Sequence, residues 1–305
     1  GLEMSTPLLL GSAPEDSAKA HDGSVKVFCV SCGRLSLWRG TGSNRRAWKA
    51  VCTAGCALVF GSYFDTVYRL HGPEAAGAER DSSTCLTLLL VGVLTLVKFL
   101  VEIWGQETPT WVCPGGPVLF CAVYLLGFPS YIYTAAACSQ HADLDQLLAT
   151  RSPYRQAIGF VLFSLGSAYS LCYEVGRFRW KRKATNKGRL HTEGLARYCI
   201  HPNYLGDLIT YTGWGIVAGT SCSLSLPTVM VWSFAFLVCP NSDAYLAEKY
   251  RHGVDDGGTA TPSFSEYAAR TATLIPGVRG PAANYALGCI GLALSVWCGR
   301  GCAMQ

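Results

Sequence analysis

The segment TCLTLLLVGVLTLVKFLVEIW, from Thr84 to Trp104, decides the class of fold. It is long and apolar enough to cross a bilayer as a helix, which needs roughly 20 mostly apolar residues. The rest of the chain agrees, because 50% of its 305 residues are hydrophobic and 15% are charged, against about 25% charged in soluble domains. Its mean hydropathy is +0.24. We therefore expect an all-α, polytopic membrane helix bundle.

Further apolar stretches raise the predicted number of transmembrane helices to about seven. The candidate segments run over about 47–68, 84–104, 111–138, 154–176, 203–220, 221–239 and 283–299. The first is diluted by Asp65, and the fifth is interrupted by glycines and Asp207. The predicted organisation is a polar tail over 1–45, four helices within 46–176, a second half over 177–282 and an extra C-terminal helix over 283–305.

Positive charges predict the orientation in the membrane. They cluster before the first helix, at Arg34, Arg39, Arg45, Arg46 and Lys49, and after the fourth, at Arg177, Arg179, Lys181, Arg182, Lys183, Lys187, Arg189 and Arg197. Both clusters fall on one side of a seven-helix topology, which the positive-inside rule makes cytoplasmic or its organellar equivalent. We expect a multi-pass protein of the endoplasmic reticulum or of an organellar membrane. A net charge of +5 is too small to indicate nucleic acid as a partner.

The 15 cysteines do not indicate a disulfide scaffold or a metal site. Their number is odd, and most lie in apolar runs, where cysteine behaves as a small hydrophobic residue. Cys29 and Cys32 form an isolated C-x-x-C pair, whereas a structural zinc site needs four ligands. The nearest further cysteines, Cys52 and Cys56, fall inside a predicted helix. We therefore predict no metal.

The stretch RFRWKRKATNKGRLHTEGLARYCIHPNYLGDLITYTGW, Arg177 to Trp214, holds the most chemistry. Seven of its first 13 residues are Lys or Arg, a pattern that alone indicates a topogenic loop. His201-Pro-Asn-Tyr-Leu-Gly-Asp207 then places an imidazole, an amide, a phenol and a carboxylate within seven residues. Asn203 and Asp207 share one helix face, and an ionisable group inside a membrane helix is a candidate functional residue. Cations beside such a face suit a ligand that carries phosphate.

These residues resemble the steroid 5-alpha-reductase-like family, which includes the sterol C14 reductases. The family pattern G-L-W-R-Y-S-R-H-P-N-Y-F-G-E is similar to Gly194-Leu195, Arg197-Tyr198 and His201–Asp207. The pattern Y-x-x-R-T-P-x-L-I-P-G is similar to Tyr267–Gly277, and the K-Y-G element to Glu248-Lys249-Tyr250. The three motifs occur in the family's order and cover about 170–278.

The resemblance implies a membrane reductase that uses NADPH to reduce a carbon–carbon double bond in a lipophilic, sterol- or polyprenyl-like substrate. The positions it implies for cofactor contacts are Glu174, Arg177, Lys187, Arg189, His201, Asn203, Tyr204, Asp207, Lys249, Tyr250 and Tyr267. Glu102 is the candidate catalytic acid, with Tyr131 or Tyr133 as its partner. The alternative for Glu102 is that it extends to the membrane interface beside Trp104.

Departures from the family pattern keep two other functions open. Ala196, Cys199 and Ile200 replace the signature Trp, Ser and Arg, which suits a non-catalytic subunit of a larger membrane complex. The other alternative is a membrane methyltransferase, because isoprenylcysteine carboxyl methyltransferases carry R-H-P-x-Y-x-G and a later E-E pair. Ser242-Asp243 stands where that pair would fall, which favours the reductase. Membrane lipids and a lipophilic substrate are the expected partners.

The topology also predicts which segments meet. Arg177–Asp207 and Tyr245–Gly277 fall on the same side of the seven-helix arrangement, so we expect them to fold together and close a polar pocket. Asn203 and Asp207 should then face a cavity within reach of Glu174 or Tyr250.

Overall fold

A computed structural model describes residues 25–29, 34–38, 42–71, 82–105, 153–219, 221–253 and 261–303. This part of the chain is mostly helical, as expected. It opens with a short antiparallel hairpin of β1 (Val25–Cys29) and β2 (Arg34–Trp38), in which Val25 lies opposite Trp38. The predicted third helix, 111–138, lies outside the described residues, as do Tyr131, Tyr133 and Cys32.

The first two helices form an antiparallel pair held by aromatic side chains. They are α1 (Gly42–His71) and α2 (Ser82–Gly105). Phe60 of α1 packs edge-on against Phe99 of α2, with ring centroids 6.0 Å apart. The Tyr63 hydroxyl donates a 2.8 Å hydrogen bond to the carbonyl of Leu88. A buried phenol needs such a partner, so this contact fixes one helix against the other.

The central pair of helices carries the motif region. Helix α3 (Pro153–Lys181) runs into a basic loop with two 3₁₀ turns, after which α4 (Pro202–Ala218) begins. The two helices pack closely because glycines face the contact: a Cβ on Gly206 would lie 2.7 Å from the Cβ of Ser170. Helix α4 begins with Pro202 in its first turn and ends at Gly219, whose φ of +75° suits glycine.

The C-terminal part consists of four helices with a π-helical turn. Helix α5 (Ser221–Ser233) continues through the π turn Phe234–Val238 into α6 (Cys239–Lys249). Helix α7 (Phe264–Arg270) begins with a capping box, in which Ser263 and Glu266 each bond the other's backbone. Helix α8 (Pro281–Ala303) packs on α5 and the π turn, where the Asn284 amide donates a 3.0 Å hydrogen bond to the carbonyl of Ala235.

Three helices of the described part are long and apolar enough to cross a membrane: Cys85–Trp104, Tyr154–Lys181 and Ser223–Lys249. The expectation of about seven spans is therefore met only in part. Six of the predicted segments are helical, but α1 is diluted by charges, α4 is only 17 residues long and the apolar part of α8, Ala282–Val296, is also short. Large apolar side chains such as Leu165, 60% exposed, face outward, which suits contact with lipid. The chain is thus a helical membrane protein, and its described part holds three clear spans where the hydropathy pattern predicts six.

Candidate functional site

The loop before α4 and the segment after α7 are joined as the sequence predicts. The Tyr267 hydroxyl donates a 2.6 Å hydrogen bond to the carbonyl of Ala196. The backbone N–H groups of Ile200 and His201 donate to the carbonyls of Ala272 and Thr273, at 2.8 and 3.2 Å. The prediction that the two motif segments fold together is confirmed by these contacts. The polar pocket expected between them stays a prediction.

The imidazole of the motif is bound by an acid from α6. His201 is 5% exposed, and its Nε2 atom lies 2.8 Å from Oδ1 of Asp243. Its ring stacks on Tyr204, with centroids 5.0 Å apart, and Tyr204 also stacks on Phe234 of the π turn at 4.8 Å. The Tyr204 hydroxyl also lies 3.4 Å from Oγ of Ser242. The motif and the Ser242-Asp243 pair are thus parts of one site.

Helix α3 contributes an ion pair to this site. Nη1 of Arg177 lies 3.5 Å from Oε2 of Glu174, which has 12% of its side chain exposed. Both charges lie close enough to the Tyr204 phenol to interact with it electrostatically. Glu174 and Arg177, which the resemblance implies as cofactor residues, therefore do lie beside the motif.

The motif acid Asp207 belongs to a buried cluster of charges. Nζ of Lys98 lies 2.8 Å from Oδ1 of Asp207 and 2.7 Å from Oε1 of Glu102. The Ser170 hydroxyl donates a 3.1 Å hydrogen bond to the same Asp207 oxygen. Lys98 is 3% exposed, whereas Glu102 and Asp207 expose 23% and 24% of their side chains. Glu102 therefore turns inward to Lys98 rather than outward beside Trp104.

The remaining predicted residues are spread over the basic loop and the C-terminal motifs. Tyr250 and Tyr267 are buried in an apolar cluster with Phe264. Lys249 lies over the rings of Tyr245 and Tyr250. Lys187 is exposed, while Arg189 and Asn203 are half-buried. A role for these residues in holding a cofactor stays a prediction, but the two tyrosines clearly join the loop to the C-terminal segment.

The basic loop also buries a histidine against aromatic rings. The ring of His191 lies 4.9 Å from that of Trp180 and 5.8 Å from that of Tyr173. Burial, reinforced by the positive charge of Arg177, lowers the pKa of His191 from 6.5 to about 4, and Glu193 opposes the shift. His191 is therefore neutral at pH 7 in the folded protein.

Two residues of the site were not singled out by the sequence reasoning. Lys98 is a lone lysine in the most apolar segment, four residues before Glu102, and an ionisable residue in such a segment is a functional signal by itself. Asp243 enters the sequence analysis only with Ser242, at the place where the methyltransferase pattern has its E-E pair. No local sequence pattern predicts its contact with His201, because the two residues lie 42 positions apart on different helical segments.

Charged side chains around the motif form three sets of contacts. Lys98 contacts Glu102 and Asp207, Arg177 contacts Glu174, and His201 contacts Asp243. Further cations follow along the end of α3 and the basic loop, up to Arg189. Within the described ranges, no group of three or more His, Cys, Asp or Glu residues is placed to hold a metal ion.

Comparisons with known proteins extend this description. The family profile described as "Protein of unknown function (DUF1295)" matches residues 119–271, half of the chain. A protein of Ustilaginoidea virens named "Probable O-methyltransferase ustE" is 24% identical over 192 residues, which is 62% of this chain and 67% of the relative. No solved structure matches the chain. The profile covers His201, Asp207 and Asp243 but not Lys98 and Glu102.

Proposed function

Because the chain belongs to the DUF1295 family, we propose its activity from the site: a membrane methyltransferase that takes S-adenosylmethionine and a lipophilic acceptor. The observation that carries the proposal is the contact of His201 and Tyr204 with Asp243 and Ser242. Ser242-Asp243 stands where the methyltransferase pattern has its acidic pair, and in the fold this pair lies against the H-P-N-Y motif. The single acid at this position, Asp243, is enough to form the hydrogen bond with the motif histidine, His201.

The charge balance of the site supports the same proposal. S-adenosylmethionine carries a sulfonium and an ammonium group with one carboxylate, so its net charge is positive. NADPH carries several phosphate charges instead. The carboxylates of Glu102, Glu174, Asp207 and Asp243 suit the positive groups of the first ligand better than the phosphates of the second. The half-buried carboxylates of Glu174 and Asp243 suit the ammonium and ribose hydroxyl groups, which donate hydrogen bonds.

The chemistry needs little from the chain beyond binding and orientation. When bound, S-adenosylmethionine supplies an electrophilic methyl group to a nucleophilic oxygen of the acceptor. His201 and Phe234 both stack on the Tyr204 ring and so fix one aromatic wall of the site. The exposed apolar faces of α2 and α3 let a lipophilic acceptor approach from the bilayer. The name of the Ustilaginoidea virens relative supports an oxygen acceptor.

A second candidate, the NADPH-dependent lipid reductase, is favoured by the basic loop. Seven of the 13 residues from Arg177 to Arg189 are cations, and arginine pairs bidentately with phosphate. Under this proposal the extra 2′-phosphate of NADPH is held by the loop. The double variant Lys187→Ala/Arg189→Ala would then bind NADPH more weakly and leave NADH binding unchanged. A non-catalytic subunit would bind neither cofactor.

Titration of the purified full-length protein in lipid nanodiscs tests the proposal. The ligands are S-adenosylhomocysteine, NADPH and NADH, each followed by calorimetry. We expect saturable binding of S-adenosylhomocysteine and none of the dinucleotides. Binding of NADPH without S-adenosylhomocysteine would instead support the reductase, and binding of neither would support the non-catalytic subunit.

A further inference from the structure

We propose that Lys98 is a positioning residue of the cofactor site, because its buried ammonium group fixes the carboxylate of Asp207 from a neighbouring helix. The inference rests on the proposed function in one respect, namely that Asp207 faces the cofactor. It adds a residue outside the family match, since the matched region begins at residue 119. It also gives α2 a part in a site otherwise built from α3, α4 and α6.

The contacts of Lys98 join three helices at one point. Its Nζ atom lies 2.8 Å from Asp207 on α4 and 2.7 Å from Glu102 on α2 itself. Ser170 on α3 donates to the same Asp207 oxygen at 3.1 Å. An ammonium group that is 3% exposed is stable only with such partners. Lys98 and Asp207 therefore hold each other in one place.

The geometry leaves one side of Asp207 for a ligand. In the part of the chain that the structure describes, the contacts from Lys98 and Ser170 both end on Oδ1. The Asp207 side chain is 24% exposed, although the lysine that holds it is almost fully enclosed. A carboxylate fixed through one oxygen and accessible elsewhere is suited to accept a hydrogen bond or a positive charge from a ligand.

The charge cluster is continuous with the motif site. Glu174 on α3 lies close enough to Glu102 to interact with it electrostatically, and Glu174 is also paired with Arg177. Tyr211 on α4 also lies close enough to Lys98 to interact with it electrostatically. A change at Lys98 therefore reaches the site through Asp207 directly and through Glu102 and Glu174.

The alternative is that the ion cluster only stabilises the helix packing. A positioning role and a purely structural role predict different results when one positive and one negative charge are removed together: ligand binding weakens under the first role, whereas only stability changes under the second. Lys98→Met alone leaves two carboxylates without their cation, and this variant can fail to fold. Lys98→Met/Glu102→Gln removes one positive and one negative charge, so the net formal charge of the cluster stays the same.

The test compares these variants as full-length protein in nanodiscs, by thermal unfolding and by titration with S-adenosylhomocysteine. We expect Lys98→Met/Glu102→Gln to unfold within a few degrees of the wild type but to bind at least tenfold more weakly. The control Lys49→Met removes a lysine that lies over the Trp104 ring at the end of α2, and it should bind as the wild type does. Wild-type affinity in the double variant, or in Lys98→Met, would overturn the proposal.

Failure of the proposed function gives a different result. If the wild type binds NADPH and not S-adenosylhomocysteine, the methyltransferase proposal fails and the same variants are titrated with NADPH. A tenfold loss there would still support Lys98 as a positioning residue. If the wild type binds neither ligand, both proposals are wrong.

Discussion

His201 and Asp243 are 42 positions apart in the chain, and the Nε2 atom of the first lies 2.8 Å from Oδ1 of the second. The imidazole is almost completely buried, so the acid is its principal polar partner in this part of the fold. The contact connects the start of α4 to α6 across the π turn. It also makes Asp243 part of the site, although Ser242-Asp243 departs from the E-E pair of the methyltransferase pattern.

We expect Asp243→Ala to weaken binding of S-adenosylhomocysteine by ten- to a hundredfold. The substitution leaves His201 buried without its charged partner, and a hydrogen bond to a charged group contributes about 1.5–3 kcal/mol. Calorimetric titration measures the effect. The control is Glu248→Ala, which removes an exposed acid from the same helix. Equal losses in the two variants would mean that the general charge of α6 matters, and not the contact with His201.

Tyr267→Phe should destabilise the protein by about 1–3 kcal/mol, because it leaves the buried carbonyl of Ala196 without its donor. The fall in melting temperature is measured by differential scanning fluorimetry in nanodiscs. Tyr285→Phe is the matched control, since Tyr285 is 53% exposed on α8, and its melting temperature should stay at the wild-type value. A wild-type melting temperature for Tyr267→Phe would contradict the claim that this hydroxyl joins α7 to the motif loop.

Gly206→Ala should cost about 1–3 kcal/mol of stability, since overpacking of a close contact has that range. The added Cβ would come within 2.7 Å of Ser170 on α3, whose backbone cannot give way easily. Gly176→Ala places a methyl group in open space on α3 and should be neutral or slightly stabilising. Chemical denaturation of the two variants measures the difference. Equal stability would show that α3 and α4 pack less closely than described.

The stability of the protein should fall as the pH drops from about 6.5 to about 4, in part because of His191. Its pKa is lowered to about 4 in the folded protein, while the unfolded chain keeps a value near 6.5. The unfolded state therefore binds more protons in this window, and acid favours unfolding. His191→Gln should flatten the dependence of the melting temperature on pH between these limits. An unchanged slope would mean that other groups account for it.

The sequence predicts most of the long helices. Within the described residues, however, it predicts six membrane spans where three helices are long and apolar enough to cross a membrane. Apolar runs locate six of the helices correctly, because burial in protein and burial in lipid require the same side chains. For the same reason hydropathy cannot tell a span from a helix such as α4, which packs its glycines against α3. The strands β1 and β2 were not expected, since their alternating apolar residues lie in a segment whose overall composition is polar.

The sequence predicts the motif residues of the site but not the side chains that contact them. The spacing of Asn203, Tyr204 and Asp207 predicts a polar face on a membrane helix, and of these three residues Tyr204 lies close enough to Glu174 to interact with it electrostatically. The contacts of Asp207 with Lys98 and of His201 with Asp243 are between distant segments, and no local pattern encodes them. The resemblance to reductases implies a cofactor role for Lys187 and Arg189, whereas the contacts of His201 and Asp207 in the structure are made by Asp243, Lys98 and Ser170.

Transfer of a labelled methyl group tests the central claim most directly. Membranes that contain the full-length protein are incubated with S-adenosylmethionine labelled in its methyl group, and label is counted in the organic extract. The account predicts label in lipophilic products that depends on the protein and falls at least tenfold in Asp243→Ala, while Glu248→Ala keeps the wild-type level. No protein-dependent label, together with oxidation of NADPH by the same membranes, would contradict the methyltransferase and favour the reductase.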